Sequence, residues 1–73
     1  MQKIEWMSDV KIGSRIYNAT TKKTGTYIGQ TDSRSNYNIY LIKYDGNKNP
    51  SRVNWIDAKQ LGYDHLYLLE EDN

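Results

Sequence analysis

The sequence predicts a mostly β protein: a five-stranded antiparallel barrel with one short helical turn before the last strand. Two observations carry that expectation. Short runs rich in Ile, Leu, Val, Tyr and Trp alternate with polar turns at the spacing of about 8–12 residues typical of small barrels and sandwiches. One long stretch, residues 37–56 (YNIYLIKYDGNKNPSRVNWI), sets a β-type run against a Gly/Asn/Pro turn and a second apolar run, the pattern of a central hairpin.

The elements follow in order. Residues 1–9 (MQKIEWMSD) hold Ile4, Trp6 and Met7; they fit an edge strand or a helical lead-in, with Trp6 expected to cover the open end of a core. Residues 10–17 (VKIGSRIY) alternate, placing Val10, Ile12 and Ile16 inward and Lys11, Arg15 and Tyr17 outward, with a bulge or bend at Gly13. A polar loop, 18–24, leads to a second strand, 24–31, in which Ile28 is expected to face in and Tyr27 out between Gly25 and Gly29. After a turn at 32–36, the third strand, 37–44, is apolar on both faces and therefore central. Residues 51–56 form the fourth strand with Val53 and Trp55 inward. Residues 57–60 make a helical turn that Asp57 can cap and Gly62 stops. Residues 63–69 read as a last strand or a short helix, and 70–73 as an acidic tail.

Seventy-three residues make a single small domain, residues 1–73, which buries only about 60% of its unfolded surface. The absence of cysteine excludes disulfides and thiolate metal sites. No apolar run approaches the roughly 20 residues that span a bilayer, and no basic-then-apolar leader is present, so a soluble, cytoplasmic protein with no membrane contact is expected. Seven Tyr and two Trp without Phe suit either a small, partly wet core or a binding surface. Net charge is +1 but uneven: residues 1–59 carry +5 and residues 60–73 carry −4.

The blocks VKIGSRIY, GTYIG, IYLIKYDGN and VNWIDAKQL resemble SH3-like barrels of the Tudor and KOW kind. There a tyrosine-rich strand ends in an Asp-Gly-Asn turn, and a Val-x-aromatic strand enters a helical turn ending in leucine. The resemblance implies an SH3-like barrel, and the role expected of the chain is a non-enzymatic binding module. Residues 15–31 (RIYNATTKKTGTYIGQT) are similar to the opening of GIY-YIG nucleases, with Tyr17 and Tyr27 at the paired tyrosines. The family's first glycine is Arg15 here, and its arginine-bearing helix and metal-binding glutamate have no counterpart after Thr31. A metal-dependent nuclease needs that carboxylate to hold a cation against the phosphate. The match is read as a shared hairpin preference.

No catalytic or metal site is expected. His65 stands alone, the serines lack a nucleophile-elbow context, and Gly25 and Gly29 are not followed by a phosphate-binding helix. No cofactor is implied. The candidate site is an aromatic and basic surface made of Lys11, Arg15, Tyr17, Lys22, Lys23, Tyr27, Arg34 and Tyr37. Such a surface stacks bases and meets phosphates in single-stranded nucleic acid. The same tyrosines can anchor an extended peptide of a protein partner, or pack on each other and on lysine stems. The two ligand classes part on salt: nucleic-acid affinity falls steeply with it, whereas an adaptor or inhibitor built on an apolar hot spot is little affected. An exposed edge strand allows a monomer or a weak homodimer. The Lys-, Asn-, Ile- and Tyr-rich composition also fits an accessory factor from an AT-rich bacterial or phage genome.

Overall fold

The computed structural model describes residues 1–31 and 38–69. One antiparallel sheet of six strands carries a single short helix. The strands are β1 (Gln2–Lys3), β2 (Arg15–Asn18), β3 (Lys23–Gln30), β4 (Ile39–Tyr44), β5 (Ser51–Asn54) and β6 (Leu66–Leu68), with α1 (Trp55–Leu61) between β5 and β6. Their order across the sheet is β1-β6-β2-β3-β4-β5. The expected count was five; the sixth strand is the two-residue edge β1, which pairs Gln2 with Leu68 and Lys3 with Tyr67. Among the described residues no ladder joins β1 to β5, so the sheet is open rather than closed into a barrel.

The central hairpin forms as its sequence dictates. β4 lies between β3 and β5, with Tyr40, Ile42 and Tyr44 buried on its inner face and Ile39, Leu41 and Lys43 half-buried on the other. Val53 pairs with Tyr40 and packs against the core. The chain leaves β5 directly into α1, so Trp55 opens the helix rather than ending the strand, yet it still points inward and is fully buried. The N-cap is Asn54, not Asp57: Asn54 Oδ1 accepts the Asp57 N–H at 3.1 Å. Gly62 ends the helix in the left-handed conformation, as expected.

Residues 1–9 combine both forms that their sequence allows, an edge strand and a 3-10 turn at Met7–Asp9. They cover the core with Ile4 and Met7, and Trp55 Nε1–H donates to the Glu5 carbonyl at 3.0 Å. Trp6, expected to be the cover, is 56% exposed. The side chains of Met7, Ile16, Ile42, Trp55 and Leu66 are fully buried, each aliphatic one contributing roughly 1.5–3 kcal/mol on transfer from water.

The first expected strand is corrected in length, with Val10 and Ile16 inward as expected, and the second is corrected in phase. Residues 11–14 form a turn closed by Ser14 N–H on the Lys11 carbonyl, with Gly13 at φ +96°. That turn docks on β3 through Gly13 N–H to the Tyr27 carbonyl and Tyr27 N–H to the Ser14 carbonyl. Ile12 is therefore 72% exposed instead of inward. In β3 the inward residues are Gly25 and Tyr27, while Ile28 faces out. The cause is close approach. A Cβ on Gly25 would lie 2.8 Å from the Lys43 carbonyl oxygen and 2.9 Å from Tyr44 Cα, so only glycine fits inside the curl. Tyr27, two residues on, must follow it inward. A bulge between Tyr27 and Gly29 then shifts the register.

Candidate functional site

The structure takes apart much of the surface that the sequence suggests. Tyr27 is 5% exposed and packs against Tyr40, ring centroids 6.1 Å apart. Burial, aided by Tyr40, pushes its phenol pKa up. Tyr17 lies on the opposite face of the sheet, so the two tyrosines form no joint surface, and the nuclease-like pairing has no geometry here. Arg15 is not a free cation: Nη1 and Nη2 bond Asp45 at 3.0 and 2.6 Å, and Nη1 also reaches Thr26 Oγ1 at 2.8 Å. The guanidinium holds the Asp45 carboxyl below the usual carboxylate range, and Asp45 in turn raises Arg15. Lys11, Lys22 and Lys23 are exposed, Lys22 at φ +60° in the loop between β2 and β3. Arg34 and Tyr37 lie outside the described residues, as do the turn at 32–36 and the tail at 70–73.

Two features replace the expected one. On the outer face, Tyr17 stands opposite Thr24 on one side and Tyr67 on the other, and Lys3 follows beyond Tyr67. Tyr67 was out of reach of sequence reasoning because the pairing of β6 with β2 joins residues some fifty positions apart.

The second feature is a groove of about 360 Å³ at the open side of the sheet. β5 supplies one wall, with Ser51, Arg52, Val53 and Asn54 all lining it. Asn18 and Tyr44 contribute from the inner face of the sheet, and Ala58, Leu61 and Tyr63 from α1 and the chain beyond it. Asn18 Nδ2 donates to the Tyr44 hydroxyl at 3.0 Å, and burial raises the Tyr44 pKa against the opposing pull of that bond. Leu61 and Tyr63 are 68% and 62% exposed on the rim. An exposed leucine and tyrosine beside a partly apolar hollow of this size are what a binding groove presents. The sequence signal was only that Leu61 and Tyr63 flank the helix-ending Gly62; propensity cannot tell that both stay uncovered.

Charges of both signs border the groove, with Asp45 and Asp64 next in sequence to its lining residues Tyr44 and Tyr63. Arg52 lines it, Lys22 and Lys23 follow Thr21 of its rim, and Lys48 precedes Ser51. Asp57 is the acidic residue in its lining. A somewhat larger hollow of about 410 Å³ near Gln2, Ser14 and Arg15 is more polar, and its cation is already bound to Asp45. A third feature, Lys59, is satisfied internally: its ammonium sits 5.1 Å from the Trp6 ring and 5.5 Å from Trp55, with Asp64 at 3.7 Å and Glu5 at 4.0 Å.

Among the described residues no three His, Asp or Glu side chains converge on a metal-sized space. No helix there is long and apolar enough to cross a membrane. Compared with known protein families, curated proteins and solved structures, the chain matches none of them significantly.

Proposed function

We propose that this protein is a non-enzymatic binding module that captures a segment of a partner protein in the groove between β5 and α1. The carrying observation is the pair Leu61 and Tyr63, both about two-thirds exposed beside a hollow floored by Tyr44, Val53 and Ala58. Large apolar side chains cost solubility when left uncovered, and at the centre of an interface they are the groups that supply most of the affinity. An adaptor or an inhibitor that occludes its partner has this chemistry. The insertion of α1 before the last strand also supports reading the chain as an SH3-like domain whose sheet is left open at β5.

A second reading, single-stranded nucleic acid on the outer face, is favoured by the cross-strand neighbours Tyr17 and Tyr67, with Lys3, which lies 4.0 Å from Asp64, next in the same row. Titration with single-stranded oligonucleotides at low and moderate salt separates the two. The groove reading predicts no binding at low salt that Tyr17→Ala and Tyr67→Ala abolish. Strong binding that falls steeply with salt and disappears in those variants selects the nucleic-acid reading instead.

A further inference from the structure

Among the described residues β5 ends the sheet, and its two sides are used differently. Trp55 N–H donates to the Asn38 carbonyl at 3.0 Å, which fixes the parity of the β4–β5 ladder. Antiparallel bonding alternates along a strand, so Val53 and Ser51 turn their backbone groups toward β4, while Arg52 and Asn54 turn theirs to the open side. Pro50, which has no N–H to lose, stands where the open edge begins. The groove runs beside this edge.

We infer that the groove accepts an extended, acidic segment of a partner protein as a seventh strand on β5, an inference that rests on the groove reading above. The register specifies what such a strand must carry. Residues opposite Val53 would project into the groove toward Tyr44, Ala58 and Leu61, so they are apolar. Residues between them would stand on the outer face with Arg52, whose cross-strand neighbour on the β4 side is Leu41. Arg52 is the cation that β5 itself presents on that face, and Lys48 precedes the strand in the β4–β5 turn, so those alternate residues are Asp or Glu. A basic strand would meet Arg52, and a helical segment would leave the Arg52 and Asn54 amides unused.

The test is titration of the full chain, followed by amide-resolved NMR, with three short blocked peptides: alternating valine and glutamate, alternating valine and lysine, and an acidic amphipathic helix. The valine–glutamate peptide is expected to bind roughly tenfold more tightly than its lysine counterpart. It is also expected to slow hydrogen exchange at the Arg52 and Asn54 amides. Arg52→Gln, which keeps the N–H and removes the charge, should weaken binding and lower its salt dependence. Arg52→Pro, tolerated at an open edge, should weaken it by roughly a further tenfold through the lost donor. Equal or tighter binding of the lysine peptide overturns the inference. So does binding of any of the peptides that shifts Leu61 and Tyr63 without protecting Arg52, although that result keeps the groove reading. Protection of Arg52 in the free protein that grows with its concentration also overturns the inference, by assigning the edge to a second copy. Failure of all three peptides to perturb the groove at all defeats both the inference and the reading beneath it.

Discussion

Gly25 and Tyr27 decide the interior of β3, and the sequence contains both without saying which way they point. Period-two alternation gives two sets of residues but no absolute phase, and Ile28 is the more apolar choice for the core. What settles the matter is the approach of the β4 backbone to Gly25, a contact no local pattern reports. Gly25→Ala should therefore destabilise the fold by about 1–3 kcal/mol, read as a lower urea midpoint with an unchanged slope. A wild-type midpoint would remove the close contact from the account. The buried phenols offer a second check. Tyr27 and Tyr44 both have folded pKa values above their unfolded ones, through burial in each case. Their contribution to stability is complete below the unfolded value of about 10 and is lost as pH climbs through the folded value. A near-ultraviolet titration should show Tyr27 and Tyr44 ionising late and together with unfolding. A single ordinary titration of all seven tyrosines would contradict that burial.

At the scale of elements, the β4–β5 hairpin was legible because its apolar runs and its Gly/Pro turn agree with each other. The helix was legible as a turn ending at Gly62, but its cap was misplaced by three residues. Asn54 and Asp57 are both good caps, and the choice depends on Trp55 being drawn into the core at the very point where β5 ends. Asn54→Ala should cost about 0.5–2 kcal/mol, whereas Asp57→Ala should cost less, in thermal or urea unfolding. The reverse order would restore Asp57 as the cap. The Arg15–Asp45 pair, in contrast, links β2 to the turn after β4 at the surface. Asp45 has its pKa lowered, so the pair's contribution is present above the unfolded carboxylate value of about 3.9 and is lost as pH falls through the folded one. Asp45→Asn should accordingly flatten the acid limb of the stability profile, and added salt should shrink the difference between the variant and the parent.

For the whole molecule, composition and turn spacing were enough to announce an antiparallel β protein with one short helix. They could not announce whether the sheet closes. Closure depends on pairings between strands far apart in sequence, and here β6 returns to β2 while a two-residue β1 extends that side. Among the described residues β5 pairs with β4 alone, a groove lies beside it, and Tyr27 of the expected surface is buried. An unpaired edge is usually kept short or charged to prevent sticking, and β5 is both, with four residues and Arg52 among them. Both the open sheet and the groove require that edge to be open in solution. Amide hydrogen exchange on the dilute free protein measures it directly: Val53 should be protected and Arg52 should exchange as an open amide. Equal protection at both positions would mean that β5 is already covered, and neither an open sheet nor a groove waiting for a partner strand could then be maintained.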